Sequence, residues 1–148
     1  MNTEKNINIA VGADHQGFLL KKTLIEYLKK SGYEVSDQGT SDSASCDYPI
    51  FAKKVAEAVA RGEADYGVLI CGTGIGMSIA ANKVKNARAA LVCGERNAFM
   101  SRAHNNANII CFSAHDMEYK DIVSCLDVFL KTAFEGGRHE RRVNMFEN

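Results

Sequence analysis

The sequence has no tryptophan, only one proline and no excess of charge of either sign. Its 18 lysine and arginine residues balance 18 aspartate and glutamate residues, so the chain lacks the basic surface that binds nucleic-acid backbones. No apolar run approaches the ~20 residues that a membrane-spanning helix needs. We therefore expect neither a nucleic-acid partner nor a membrane.

The five cysteines lack the close pairing that is typical of zinc and dithiol sites. They lie apart from one another, at positions 46, 71, 93, 111 and 125, whereas such sites use C-x-x-C spacing. An odd number of scattered thiols, with no export signal before the first apolar run, is typical of a reducing compartment. The sequence therefore predicts a cytoplasmic protein without a zinc site of this type.

Short apolar runs alternate with amphipathic helical patterns along the chain. The length and β-branched content of these runs are typical of buried parallel strands. A length of 148 residues allows one domain with one core. The pattern predicts an α/β fold, a Rossmann-like three-layer α/β/α sandwich over residues 1–137, followed by an arginine-rich tail at 138–148. The five predicted parallel strands are 7–11, 33–36, 66–70, 89–92 and 109–112.

Sheets of this kind bind ligands beyond the carboxyl ends of their strands, and several polar side chains are expected there. The first strand runs into Asp14 and His15, and the second runs into a loop that carries Asp47 and Tyr48. A carboxylate beside an imidazole binds a hydroxyl, a phosphate or a moving proton. The alternative is that both aspartates are ordinary helix caps.

The third predicted strand ends in the sequence CGTGIG at 71–76, the most informative stretch. Alternate glycines let backbone N–H groups converge on an anion at the start of the next helix. The stretch is no dinucleotide fingerprint, because Met77 stands where the third glycine should be, and no Walker A lysine follows. Cys71 before a helix start is a setting that favours a thiolate; a buried residue that ends a strand is an equally weighted alternative.

Two further groups are expected away from this edge. His104 ends the helix after the fourth strand, and about nine helical residues span ~14 Å. His104 therefore lies at the amino edge of the sheet, where it is either structural or serves the site of a second subunit. Arg138 and Arg142 are one helical turn apart and suit a phosphate dianion, with a solvated basic tail as the alternative.

These residues together give the chain a family resemblance. The sequence resembles the B-type ribose-5-phosphate isomerases, a family that also contains the allose- and galactose-6-phosphate isomerases. The likeness spans nearly the whole chain and rests on six ordered blocks. The blocks are Asp14, His15 and Gly17 at the first turn, DYP at 47–49, CGTGIG at 71–76, AANK at 80–83, RAHN at 102–105 and GGRH at 136–139.

The resemblance implies that an aldose phosphate and a ketose phosphate are interconverted through a cis-enediolate, with neither metal nor cofactor. It makes Cys71 the base that moves a proton between C1 and C2, and Thr73 the group that assists proton exchange on the oxygens. It makes His104 the residue that opens the sugar ring, with Asn105 beside it. The other implied contacts are the backbone of Gly72, Gly74 and Gly76 with the enediolate, His15, Arg138 and Arg142 with the phosphate, and Asp14, Asp47 and Tyr48 with the sugar.

The resemblance also implies a homodimer, or a tetramer of such dimers, in which His104 and the tail complete the neighbouring subunit's site. The expected substrate is ribose 5-phosphate, in the non-oxidative pentose phosphate pathway. A hexose 6-phosphate, and phosphosugar binding without turnover, are the alternatives. Many relatives carry another phosphate-binding arginine where this chain has His115, which predicts phosphate binding that is weaker or depends more on pH.

Overall fold

The computed structural model describes residues 5–147. Residues 1–4 and 148, which belong to the predicted domain and tail ranges, lie outside the described residues. Within the described residues, five strands and five helices alternate as the apolar pattern predicts, and a short sixth helix lies in the tail. In chain order the elements are β1 (Asn8–Ala13), α1 (Phe18–Lys30), β2 (Glu34–Asp37), α2 (Tyr48–Ala60), β3 (Tyr66–Cys71), α3 (Ile75–Ala81), β4 (Ala89–Leu91), α4 (Glu95–Ala103), β5 (Ile109–Ser113), α5 (Tyr119–Lys131) and α6 (Arg138–Val143).

The five strands form one parallel sheet in the order β2-β1-β3-β5-β4. The predicted α/β fold with a five-stranded parallel sheet is therefore confirmed. The chain moves from β1 to one side to form β2 and then returns to the other side to form β3. This reversal opens a crevice between the carboxyl ends of β1 and β3, which is where such sheets bind ligands.

Two apolar cores cover the two faces of the sheet, because successive side chains of a strand point to opposite faces. On β3, Val68 and Ile70 pack into the core that contains α1 and α5. Leu69 and Cys71 pack into the other core, which contains α2 and α3. The side chain of Cys71 therefore lies on the same face as α3, the helix that follows it.

Several boundaries differ from the predicted ones. Strands β1, β3 and β5 each extend past the predicted end, to Ala13, Cys71 and Ser113, because each lies between two other strands and gains hydrogen bonds on both sides. The tail is not a separate extension, since His139 in α6 is buried. Within residues 5–147, no helix is long and apolar enough to cross a bilayer.

A buried lysine fixes the loop that follows β2. Lys21 on α1 is 1% exposed, and its Nζ donates to both carboxylate oxygens of Asp37, at 2.6 and 2.7 Å. Asp37 also accepts a hydrogen bond from the backbone N–H of Gly39 (2.9 Å). From there Gly39 and Thr40 exchange backbone hydrogen bonds with Ala13 at the end of β1. The ion pair therefore ties the loop to the crevice.

The two members of this pair should not be equally important for stability. Asp37→Asn leaves the charge of Lys21 buried without a partner and should lower the free energy of unfolding by about 3 kcal/mol. Lys21→Met removes that charge and leaves an aspartate whose side chain is 49% exposed, so the loss should be about 1 kcal/mol or less. Urea unfolding of both variants at pH 7 measures the difference. An equal loss, or a larger loss for Lys21→Met, would contradict this account.

Candidate active site

Cys71 is the last residue of β3 and is 5% exposed. Its sulfur accepts a hydrogen bond from the backbone N–H of Gly74 (3.1 Å). Gly74 has φ of +77°, a left-handed conformation that L-residues with a side chain rarely adopt. This turn points an N–H back at the sulfur, an arrangement that stabilises negative charge there.

The peptide between Gly72 and Thr73 is held by β5. The carbonyl oxygen of Gly72 accepts hydrogen bonds from the hydroxyl of Ser113 (2.6 Å) and from the backbone N–H of His115 (3.2 Å). In a trans peptide the N–H points away from the preceding carbonyl oxygen. The N–H of Thr73 is therefore directed away from β5, and its orientation is fixed before any ligand binds.

An open pocket of about 440 Å³ lies over this turn. The aromatic ring of Tyr48, from the start of α2, forms one wall and lies directly against Gly76. A Cβ atom on Gly76 would come within 2.6 Å of that ring, so only glycine fits there. The pocket thus brings together residues from the loops after β1, β2 and β3. Its lining residues are Asp14, Gln16, Tyr48, Cys71, Gly72, Thr73, Ile75, Gly76 and Ile79.

The two acidic residues of this edge behave differently. Asp14 is buried, and its Oδ1 accepts hydrogen bonds from the backbone N–H groups of Gln16 (2.9 Å) and Gly17 (3.1 Å). It therefore orders the turn before α1 and also lines the pocket. Asp47 occupies the N-cap of α2, yet its exposed carboxylate makes no capping hydrogen bond within the described chain. Neither aspartate is thus an ordinary side-chain cap, because the N-cap of α1 is Gly17 and Asp14 bonds the turn before it.

His15 lies against the loop that precedes α2. Its Nδ1 accepts a hydrogen bond from the backbone N–H of Cys46 (3.3 Å) and lies 3.9 Å from the sulfur of Cys46. An accepting Nδ1 carries no hydrogen, so the neutral ring holds its hydrogen on Nε2. The ring can therefore present Nε2–H as a donor.

The remaining predicted residues form a second group, at the opposite edge of the sheet. His104 is the C-cap of α4, and α4 begins beyond the carboxyl end of β4. Asn105 lines a cavity of about 670 Å³ together with Lys83 and Arg88. Arg138 and Arg142 lie on α6, close enough to affect the charge of its buried His139. The structure therefore divides the predicted site residues between two edges, as the helix length predicts.

His104 has two neighbours that the sequence analysis does not single out. Its ring stacks on that of His139, with centroids 3.9 Å apart and planes 13° from parallel. Oε2 of Glu135 lies 3.5 Å from Nε2 of each ring. Burial lowers the pKa of His139, and the nearby His104 and Arg138 lower it further, whereas Glu135 raises it. His139 is therefore favoured in its neutral form.

His104, Glu135 and His139 also place three potential metal-ligating atoms within 4.8 Å of one another. A metal ion bound by an imidazole lies close to the plane of that ring. Because the two rings are stacked almost in parallel, their nitrogen lone pairs do not point at one common position. The arrangement therefore does not suit a metal ion held by both rings.

Comparison with known proteins assigns the family. The model of the ribose/galactose isomerase family matches residues 9–146. Ribose-5-phosphate isomerase B of Escherichia coli is 47% identical over 136 residues, which cover 91% of each chain. The chain belongs to the ribose/galactose isomerase family. The predictions of family and of isomerase activity are confirmed.

Solved structures agree with this family assignment. Ribose-5-phosphate isomerase B of Clostridium thermocellum superposes with a TM-score of 0.94 at 48% identity, over 95% of each chain. The enzyme from Mycoplasma genitalium, solved with bound ribulose 5-phosphate, has a TM-score of 0.91 at 44% identity, over 96% of this chain and 95% of its own. The fold of this family member is therefore shared along nearly its whole length.

Gln16 is a pocket residue that the sequence analysis of this family member does not select. Its Oε1 lies 2.7 Å from Nε2 of His115, and its carboxamide crosses in front of Gly72. The available signal was the position of Gln16 between His15 and Gly17. Its neutral amide does not titrate, so it is not a candidate acid or base. His115 is thus placed at the pocket edge and is partnered there by Gln16.

The four thiols other than Cys71 should differ sharply in reactivity. Cys93 is exposed and Cys46 is half-buried. Burial raises the pKa of Cys111 well above its usual range and that of Cys125 to about 11. Treatment with iodoacetamide at pH 8, followed by peptide mass spectrometry, should label Cys93 and Cys46 while sparing Cys111 and Cys125. Unfolding in urea should make all four react, and labelling of Cys111 as fast as Cys93 in the folded protein would contradict the prediction.

Proposed function

We propose that the chain interconverts ribose 5-phosphate and ribulose 5-phosphate. The observation that carries the proposal is the Cys71 thiol, held by a backbone N–H in the crevice between β1 and β3. A phosphosugar-binding protein without turnover needs no such thiol. The relative that was solved with ribulose 5-phosphate supports this choice of substrate. We further place the reaction in the cytoplasm, within the non-oxidative pentose phosphate pathway.

The chemistry moves one proton between neighbouring carbons. The thiolate of Cys71 takes the proton from C2 of the open-chain aldose, the electron pair forms the cis-enediolate, and the proton returns to C1 to give the ketose. Thr73, exposed beside Cys71 in the same pocket, exchanges the proton between O1 and O2. The fixed backbone N–H groups around Gly72, Gly74 and Gly76 stabilise the negative oxygens. The residues of this chain perform every step without a metal or a cofactor.

We propose that residues from both edges of the sheet bind the sugar and the phosphate. Asp14, Asp47 and Tyr48 contact the sugar, while His15 uses its Nε2–H on the phosphate. Arg138 and Arg142 supply positive charge to the same phosphate. His104 opens the sugar ring, with Asn105 beside it.

These roles require two copies of the chain. Cys71 and His104 lie at opposite edges of one sheet, so the pocket of one copy must receive His104 and α6 from another. Three apolar side chains at the mouth of the pocket, Tyr48, Ile75 and Ile79, are 40–56% exposed. An exposed apolar patch next to a half-complete site is typical of a subunit interface. We therefore propose a homodimer with two composite sites.

Replacing the base should separate catalysis from binding. Cys71→Ala should lower the turnover of ribose 5-phosphate by about 10³-fold, the size of a general-base contribution, while the dissociation constant of the sugar phosphate stays about the same. Steady-state kinetics with a chelator present, together with calorimetry, measure both quantities. Cys93→Ala, which removes an exposed thiol away from the lining of the pocket, is the matched control.

The same assay tests the choice of substrate. Wild-type protein should turn over ribose 5-phosphate and leave allose 6-phosphate nearly untouched. Preference for the hexose would replace the proposed substrate. Binding of both sugars without turnover would favour a non-catalytic role, and normal turnover by Cys71→Ala would refute the assignment of the base.

Mixing two inactive variants should restore activity if the site is composite. Cys71→Ala and His104→Ala each disable both sites of their own homodimer. In a mixed dimer, one site combines the intact Cys71 of one chain with the intact His104 of the other. Random exchange of subunits should therefore recover about a quarter of wild-type activity.

The two variants are co-refolded and assayed against each variant refolded alone. Size-exclusion chromatography confirms that dimers form. Dimers that remain inactive after exchange would show that each site is built from a single chain. The matched control is co-refolding of Cys71→Ala with the double variant Cys71→Ala/Thr73→Ala. Both proteins lack the same half of the site, so this mixture should recover no activity.

A further inference from the structure

The contacts of His104 with Glu135 and His139 are not explained by the roles given so far. One oxygen, Oε2 of Glu135, lies 3.5 Å from Nε2 of both histidines. The two rings stack face to face at 3.9 Å. A histidine that only ends a helix needs neither a shared carboxylate nor a stacked partner, so the arrangement points to a role that depends on His104.

The backbone brings these three residues together. The N–H of Glu135 donates to the carbonyl oxygen of Ala103 (3.0 Å), which ties the segment after α5 to the end of α4. The glycines at 136–137 then turn the chain into α6, and the N–H of His139 donates to the carbonyl of Gly136 (3.1 Å). The fold therefore sets the backbone positions from which these side chains meet.

We propose that Glu135 and His139 are positioning residues that fix the tautomer and the plane of His104 for opening the sugar ring, an inference that rests on the proposed function. A carboxylate oxygen attracts an N–H and repels a nitrogen lone pair. Glu135 therefore favours the form of His104 with its hydrogen on Nε2, and Nδ1 keeps the lone pair. In serine hydrolases a carboxylate orients an imidazole by the same principle, there through Nδ1–H.

His139 completes the arrangement because it is the neutral member of the pair. Its burial and the positive charges near it, Arg138 and Arg142, oppose its protonation. Two imidazolium ions stacked at this distance would also repel each other. The flat face of His139 keeps the ring of His104 in its plane.

Opening the ring moves one proton and changes no oxidation state. Nδ1 of His104 takes the proton of the anomeric hydroxyl as the C1 carbonyl forms and the bond from C1 to the ring oxygen breaks. The imidazolium then gives the same proton to the former ring oxygen. Glu135 is the carboxylate that stabilises the positive charge of His104 between these two transfers.

Glu135→Gln is the informative variant, because it keeps the size of the half-exposed side chain and removes its charge. Net conversion of ribose 5-phosphate should fall about tenfold to a hundredfold, part of what general acid–base catalysis contributes. Exchange of the C1 hydrogen of ribulose 5-phosphate with deuterated water, followed by NMR, should fall less than about threefold. The exchange uses Cys71 on an open-chain ketose, and no ring has to open.

Three further variants sharpen the test. Glu26→Gln removes a similar charge from an exposed position on α1 and should change neither rate. Glu135→Asp keeps the carboxylate and should recover part of the lost conversion. His139→Phe keeps a flat ring in the stack and should retain more conversion than His139→Ala.

Two results for Glu135→Gln would overturn the inference. One is unchanged conversion of ribose 5-phosphate, and the other is an equal loss of conversion and of hydrogen exchange, which would indicate general damage to the fold. Wild-type protein that shows neither conversion nor exchange would instead refute the proposed function, and this inference with it. The two failures are therefore distinguishable.

Discussion

The parallel direction of all five strands is the constraint on which the rest of this molecule depends. It places every loop that follows a strand at one edge of the sheet, and the carboxyl end of every intervening helix at the other. The first rule places Cys71, which ends a strand, at one edge. The second rule places His104, which ends a helix, at the other edge. No change of side-chain conformation brings the two together within one chain, so a reaction that needs both must be carried out between chains.

The same constraint explains how much of the fold could be predicted from the sequence. Apolar runs of four or five residues are local signals, and they locate all five strands to within a few residues. Strand ends are less local, because Cys71 and Ser113 become part of their strands only through their partners on both sides. Helix α6 and the burial of His139 depend on contact with the end of α4, which no pattern within the tail encodes.

The candidate site shows a similar division. The loop at 71–76 and the charged residues near it were predictable, because glycine spacing and titratable groups are visible in one dimension. Glu135 was not, since its importance comes from standing beside two histidines that are 31 residues before it and four after it in the chain. Gln16 carries no charge and is recognised only from its place in the pocket. The sequence alone did not reveal which side chains from distant parts of the chain lie next to one another.

The buried charge of Lys21 bears on the crevice between β1 and β3. The pair of Lys21 and Asp37 holds the loop after β2 against the end of β1. That loop carries Cys46, whose backbone N–H fixes the ring of His15. Lys21 on α1 is thus connected, through Asp37 and the loop after β2, with the ring of His15.

The pairing of β3 with β5 has a consequence of a different kind. Ser113 stands opposite Cys71 in the register of these strands, and its hydroxyl holds the carbonyl of Gly72. A slip of one residue would exchange Ser113 for Phe112 or Ala114 and release that peptide. Alignment of two buried strands therefore sets how the peptide beside Cys71 is held, and so bears on the proposed chemistry as well as on the fold. A substitution deep in β5 that moves this alignment disturbs the turn at Cys71 without touching the pocket.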